Sequence, residues 1–299
     1  MDIGVVMQSG TGSGDAILDI KDAIRRARCN PVDIRLDDMI VRMGKGGVRT
    51  HMMLGDKKDR RIDVGCAVLR NLGVIRDYEQ FSHRIWSIRA MELSGIYVSN
   101  SIIGLLRAGD KLGALSVLSS RGLPVPETAS SENFFAGYNA VKEFGQAVVK
   151  PLRGGQGYGI FKVDDPDVAM HIFSSFANLN KPIYVQKYLD KMGAGDYRVI
   201  VVGGEVIGTE FRKGKGWKSN VAMGGSARVV KADSELRELA IKAAEVLELD
   251  YVGMDIAKTR EGYVIIEANP RMGWTSFRKV TKVNPAKKII SNLIEKVRK

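Results

Sequence analysis

Residues 148–163 read VVKPLRGGQGYGIFKV: a lysine closes an apolar run, four glycines fall within six positions, and a second apolar run follows. A segment so bare of side chains restricts the chain more than any other. A phosphate-binding P-loop places Lys-Ser or Lys-Thr after its glycines, whereas Lys150 precedes them. A dinucleotide fingerprint opens a helix within its glycines, whereas Gly159 is followed by Ile160, Phe161, Lys162 and Val163, which reads as a strand. What remains is strand, glycine-rich turn, strand. The backbone N–H groups of such a hairpin, those of Gly155 and Gly157 among them, can approach a polyanion because no Cβ stands in the way. An ordinary hairpin uses glycine for the same conformational reason, so the rest of the sequence has to decide between them.

The 299 residues leave room for about two domains at roughly 150 residues each. With 44% hydrophobic and 27% charged residues the composition is that of a globular protein. No apolar run approaches the roughly 18 residues that span a bilayer, and MDIGVVMQSG lacks the basic start and long apolar stretch of a signal peptide. A cytoplasmic protein with no membrane contact is the expectation. Cys29 and Cys66 sit in hydrophobic patterns and form no close-spaced pair, which predicts buried thiols rather than a disulfide or metal site. Forty-six basic against 34 acidic residues leave a net charge of +12. Such an excess attracts nucleic acid, acidic proteins or polyanionic small molecules alike. No zinc-finger, RNP-type or zipper signature accompanies it, so nucleic-acid binding has only the net charge in its favour.

The first hundred residues alternate between strand and helix patterns. DIGVVM, VDIRL, DVGCAVLR and GIYVSN read as strands; Ile17, Ile20, Ile24 and Ala27 share one helix face, and Phe81, Ile85 and Ile88 another. This predicts an α/β unit, an open parallel sheet flanked by helices. Beyond it the pattern changes. Lys111, Leu112, Leu115 and Leu118 begin a helix that RGLPVPET ends, and a helix after Asp165-Pro166 carries Val168, Ile172 and Phe176 on one face. PIYVQKYL is a strand, and GDYRVIVVGGEVIGTEFRK is two strands turned at Gly203-Gly204. A helix over 233–247, the strands YVGMDIAKT and GYVIIEANP, and a terminal helix with Ile289, Ile290, Leu293, Ile294 and Val297 complete the chain.

Those last two strands hold the most informative acids. Residues two apart on a strand share a face, so Glu267 and Asn269 project together, and an antiparallel neighbour across KTREG lets Asp255 join them. Two carboxylates and an amide oxygen are hard donors that suit Mg²⁺ bridging nucleotide phosphates. Solvent-facing acids are the plain alternative, but both carboxylates are embedded in apolar sequence, where an ionised group without partner or metal is costly. Lys150 then has a purpose, neutralising the phosphates that the hairpin amides cover.

Taken together, GDKLGALSVLSSRGLPVPET, VVKPLRGGQGYGI, VQKYL, GDYRVIVVGGEVIG, WKSN, GMDI and IIEANP resemble an ATP-grasp enzyme of the RimK-like α-L-glutamate ligase family, in order from about residue 62 onward. The resemblance implies a pre-ATP-grasp domain over 1–98, a central lid subdomain over 99–185 and a metal- and nucleotide-binding subdomain over 186–299. It makes Lys150 the ATP-phosphate lysine, Lys111 the earlier nucleotide-site lysine of an Asp-Lys element, Lys187 and Tyr188 the adenine segment, Asp196 a ribose contact, and Lys218, Ser219 and Asn220 contacts at the phosphate end. Asp255, Glu267 and Asn269 match the family's metal ligands, for Mg²⁺ or Mn²⁺ and two ions. Arg198 and Arg212 match residues that hold substrate carboxylate and developing phosphate charge. Lys187 stands where many relatives have glutamate and Lys218 where arginine is frequent; His51, His83 and His171 match no motif.

The implied reaction is ATP-dependent amide formation. An acceptor carboxylate takes the γ-phosphate, with Arg212 neutralising the transferring group, and the amine of an amino acid, L-glutamate, displaces it. Three acceptor types belong to such enzymes: an acidic cofactor such as tetrahydromethanopterin or a deazaflavin coenzyme, a ribosomal-protein C-terminus, or an acidic carrier protein. The segment PRMGWTSFRKVTKVN is bulkier and more basic than the corresponding turn of ribosomal-protein-modifying members, which favours the cofactor. Arg271, Arg278, Lys279 and Lys282 are expected to put part of the positive charge at the acceptor site, Arg271 as a substrate contact. A homo-oligomer is expected.

Overall fold

The computed structural model describes residues 1–8, 15–55, 58–152, 154, 158–214, 216–218 and 224–298. Gly155, Gly157, Ser219 and Asn220 lie outside the described residues.

The chain opens with β1 (Asp2–Met7), α1 (Asp15–Arg26), β2 (Asn30–Arg35), β3 (Met39–Gly44), β4 (Gly47–Leu54), β5 (Lys58–Arg61), β6 (Cys66–Leu69), α2 (Tyr78–Leu93) and β7 (Tyr97–Ser99). A parallel sheet in the order β2-β1-β6-β7 results, as the alternation predicts. Its inner strands are apolar throughout because both faces are covered. Ile3, Val5, Cys66 and Val68 face a core shared with α1, while Val6, Ala67 and Leu69 face α2. The sequence pattern does not predict the antiparallel sheet β3-β4-β5. β3 carries Met39, Ile40, Val41 and Met43 but is half-buried to exposed beyond Met39, β5 is exposed along its length, and Met39 and Met52 anchor the sheet to the α2 core. Cys66 is fully buried, as expected, and Cys29 is half-buried.

The middle of the chain supplies α3 (Ile102–Arg107), α4 (Lys111–Ser120), β8 (Thr128–Ser131), α5 (Phe134–Phe144), β9 (Ala147–Val149), β10 (Phe161–Val163), α6 (Pro166–Asn178) and β11 (Ile183–Lys187). The strands β10-β9-β11-β8 form an antiparallel sheet covered by α5 and α6. β9 and β10 pair Val149 with Phe161, so the strands flanking the glycine-rich stretch do form a hairpin. On α6 the buried residues are Ala169 and Phe173; Val168, expected at the core, is 53% exposed. Phe173 sets this rotation, because its ring fits over Gly137 of α5, where a Cβ would come within 3.0 Å of it. A boundary at residue 185 falls inside β11, which pairs with β9 and β8.

The remainder comprises β12 (Gly195–Val202), β13 (Glu205–Lys213), β14 (Ser226–Val229), α7 (Ser234–Val246), β15 (Tyr251–Thr259), β16 (Gly262–Asn269), α8 (Thr275–Thr281) and α9 (Pro285–Arg298). An antiparallel sheet runs β14-β13-β12-β15-β16. Gly203 and Gly204, both at positive φ, make the tight turn between β12 and β13. One face of this sheet packs on α4 and α7, the other on α9 and the core of β1 and α1.

Two buried polar residues join the N-terminal sheet to β15 and β16. Asn100 donates to the carbonyls of Tyr251 and Pro270, at 2.8 and 2.9 Å, and accepts from the Tyr251 amide. Arg70 donates to the Tyr251 hydroxyl and the Met272 carbonyl and stacks on Trp274, 4.5 Å from the ring centroid. Past β16 the expected basic loop is instead anchored in the core by Met272, Trp274 and Phe277, the last within α8. Arg278 on α8 pairs with Asp19 of α1, which also accepts from Trp274 Nε1. Neither Arg278 nor Lys279 nor Lys282 lines the clefts described below.

Candidate active site

β15 and β16 are antiparallel, with Asp255 opposite Glu267 and Gly253 opposite Asn269. The three expected metal donors therefore share one surface, and Asn269 Nδ2 lies 3.5 Å from Asp255 Oδ2. A bulge between Asp255 and Ile256 inserts Ile266 opposite no partner and turns it, with Glu267, into a pocket. Arg198 of β12 lies directly opposite Asp255. A Cβ on Gly253 would meet Met272 Sδ at 3.0 Å and the Arg198 side chain at 3.3 Å, so the glycine leaves room for both.

Arg198 holds Asp255 in bidentate fashion through Nε and through Nη2 at 2.8 Å. Arg212 of β13 adds Nη2 at 2.9 Å and binds Asp196 with Nε at 2.7 Å. Burial works to raise the Asp255 pKa, but the two guanidiniums outweigh it and hold the carboxyl below its ordinary value. For Arg212 burial works downward and is outweighed by Asp255 and Asp196, so its proton is held more tightly than usual. Among the described residues no three His, Cys, Asp or Glu side chains are grouped to hold a metal. The donor set is two carboxylates and an amide, which is no closed cage. It fits Mg²⁺, an ion that keeps waters and takes phosphate oxygens to complete its shell.

Lys150, at the end of β9, is buried, and its Nζ donates to Gln186 Oε1 at 2.5 Å. Burial pushes its pKa down to about 8; Glu267 and Asp196 pull it up, Lys111 and Lys191 down. Lys111 starts α4, whose N-cap Asp110 accepts from the Gly113 amide, and reaches Glu267 Oε1 at 3.5 Å. Burial likewise lowers the pKa of Lys191, 3.9 Å from Asp196. These residues line a narrow pocket of about 90 Å³ between the sheet of β9 and β11 and the sheet of β12, β13, β15 and β16, with Val148, Ile160, Leu189 and Ile266 as apolar walls. Lys187, Tyr188 and Lys218 line it as well. The amides of Lys187 and Tyr188 donate to the carbonyls of Glu127 and Gln146, so the next amide along the segment is that of Leu189.

A larger cavity of about 750 Å³ lies beside the first, and Lys111 and Glu267 line both. It opens at the C-terminal end of β6, at Arg70–Gly73, and is closed on the other side by Glu267–Arg271. The sheet order reverses direction between β1 and β6, and the carboxyl ends of strands at such a switch point form a natural ligand crevice. Arg271 lines this cavity. Arg198, expected at a substrate carboxylate, lines neither cavity and is committed to Asp255. Asp196 lines the narrow pocket but is held by Arg212.

Sequence reasoning omits Gln186, Leu189, Lys191 and Trp217, which also line the narrow pocket. It omits Glu210 too, opposite Arg198 on β13 and buried, with Oε2 unpartnered among the described residues. Burial raises the Glu210 pKa, against Arg212 and Arg198. Glu210 was detectable as an acid two residues before Arg212, hence on the same strand face.

A hairpin sheet facing the sheet of Asp255, Glu267 and Asn269 across a lysine-lined pocket, behind an open parallel sheet, is the arrangement of an ATP-grasp-type ligase. The solved ATP-grasp ligase PsnB, complexed with a minimal precursor, Mg and ADP, has the same fold: its TM-score to this chain is 0.74 over 99% of this chain and 98% of that one, at 19% identity. A family description, RimK-like ATP-grasp domain, matches residues 108–293. A probable alpha-L-glutamate ligase of Maridesulfovibrio salexigens is 32% identical over 213 residues, 70% of each chain. Another, from an Enterobacter species, is 34% identical over 209 residues, 69% of this chain and 70% of that protein. The chain belongs to the RimK-like ATP-grasp family of ligases.

Proposed function

We propose that this protein uses Mg·ATP to join an amino acid, L-glutamate, to a carboxylate of a small, cofactor-sized acceptor. The observation that carries this reading is the meeting of the narrow pocket and the large cavity at Lys111 and Glu267. A nucleotide in the first would direct its terminal phosphate to the one place an acceptor in the second can reach. Asp255, Glu267 and Asn269 would hold Mg²⁺, which when bound supplies positive charge to the phosphates. Lys150 and Lys111 neutralise the same phosphates, and the walls of Val148, Ile160 and Ile266 take the adenine.

An acceptor carboxylate oxygen attacks the γ-phosphorus and the bond to ADP breaks, giving an acyl phosphate. The amine nitrogen of glutamate attacks the acyl carbon, inorganic phosphate leaves, and the amine proton is lost. No enzyme nucleophile is needed, since positioning and charge neutralisation suffice. The relatives' description as glutamate ligases supports glutamate as the amine. The test is ADP release from Mg·ATP with L-glutamate and candidate acceptors, read together with acceptor mass. Gain of a glutamyl residue, with one acceptor carboxylate ¹⁸O passing into phosphate, is expected; ADP release indifferent to every acceptor and to glutamate refutes the reading.

A further inference from the structure

The large cavity has two unlike walls. Glu267, Asn269, Arg271, Lys111 and Asp110 form the wall toward the nucleotide pocket, whereas Leu72, Ile75, Phe81, Ile85, Leu105 and Leu106, from the segment after β6 and from α2 and α3, form the other. Leu72, Ile85 and Leu105 are the outer edge of the N-terminal core, and Ile75 and Phe81 pack on it. Leu106, 42% exposed, continues the apolar surface outward.

The charge of the cavity does not suit a polyanion. Among the described residues its lining holds three cations, Arg70, Lys111 and Arg271, against two carboxylates, Asp110 and Glu267. Arg70 is committed to Tyr251, Met272 and Trp274, and Lys111 faces Glu267. The basic residues that follow do not enlarge the supply, since Arg278 is turned to Asp19 and Lys279 and Lys282 do not line the cavity. An acceptor with several carboxylates would have to desolvate charges that meet no partner. A volume of about 750 Å³ is within the range of small-molecule sites and greatly exceeds what a lone carboxylate fills, so the rest of the acceptor must occupy the apolar side.

Resting on the ligase reading above, we infer that the acceptor is a small amphipathic acid, with one carboxylate at Lys111 and Glu267 and an apolar ring or chain against Leu72, Ile75, Phe81 and Leu106. The apolar wall then sets acceptor specificity and stays clear of the chemistry. Burial of such a body provides binding energy at a distance from the reacting carboxylate, which can be spent on holding that carboxylate in line with the terminal phosphate.

Saturation-transfer NMR on the full chain loaded with Mg·ADP tests this. The probes are 3-phenylpropionate and 5-phenylvalerate, compared with citrate, tri-glutamate and an acetylated tetrapeptide ending in glutamate. The two arylalkanoates are expected to bind and the other three not. Leu106→Glu, at a half-exposed site that tolerates charge, and the milder Ile75→Ser should each weaken arylalkanoate binding about tenfold, the worth of an apolar side chain's contact. Both should leave the Mg·ADP affinity as in wild type. Preferential binding of tri-glutamate, citrate or the peptide overturns the inference, as does arylalkanoate binding equal in wild type and both variants, or no carboxylate binding at all. Failure of the ligase reading is seen separately, as failure of the wild type to bind Mg·ADP in the titration that precedes the probes.

Discussion

Lys150 gives the most direct access to the proposed nucleotide pocket, because a buried lysine that meets phosphate must take up a proton. Its pKa of about 8 means that above this pH the nucleotide-free protein progressively loses the Lys150 proton. Phosphate oxygens favour the charged form and pull the pKa back toward the ordinary 10.5. The complex therefore holds more protons than the free protein, and affinity must fall as pH rises through 8. Binding should take up about half a proton per nucleotide at pH 8 and nearly one at pH 9, and affinity should weaken about tenfold, ~1.4 kcal/mol, between pH 7 and pH 9. Calorimetric titration with ADP in buffers of different ionisation enthalpy reads the proton uptake; EDTA keeps metal binding from contributing protons. Lys191 lines the same pocket and also has a lowered pKa, so the decisive quantity is the difference from Lys150→Met. A Lys150→Met protein that binds ADP with wild-type proton uptake and pH slope would show that Lys150 does not meet the phosphates.

Three further outcomes are expected. Glu267→Gln should abolish acceptor-dependent ADP release, and because Glu267 supports the Lys150 charge it should also move the onset of proton uptake to lower pH; an unmoved onset in calorimetry would contradict the shared site. Arg212→Met leaves Asp196 and Asp255 buried with less compensation and should cost roughly 3 kcal/mol of stability, read by urea unfolding; a loss under about 1 kcal/mol would contradict the buried network. Arg278→Ala breaks a partly exposed pair with Asp19 and should cost at most about 1 kcal/mol while leaving the KM for ATP and for the acceptor unchanged; a raised acceptor KM would return the α8 basic residues to the acceptor site.

Much of the fold was legible as periodicity. The apolar runs of β1 and β6 and the helix stripes that follow each imply a parallel sheet, because only a strand covered on both faces has no polar side to show. The glycine-flanking hairpin, the Gly203-Gly204 turn and the antiparallel β15–β16 pair follow from local chemistry alone. The sheet β3-β4-β5 was not legible, since its strands carry little alternation and are held to the core by Met39 and Met52. The same limit applies to α8. A run of arginine and lysine looks like a solvated loop until Trp274 and Phe277 are seen to be its anchors, buried against residues more than two hundred positions earlier.

At the site, the order of residue types along the chain was enough to single out Asp255, Glu267, Asn269 and Lys150, because strand alternation decides which side chains share a face. What each does with its charge was not. That Arg198 and Arg212 hold Asp255, that Gln186 receives the Lys150 proton donor, and that Lys111 and Glu267 stand where two cavities meet are contacts between strands distant in sequence. Sequence by itself determined the kinds of group present and the element each rides on, through interactions a few residues long. Only the tertiary structure decided which charges neutralise one another and which remain turned toward a ligand, because electrostatic pairing depends on distance and burial, and both are set when the sheets pack together.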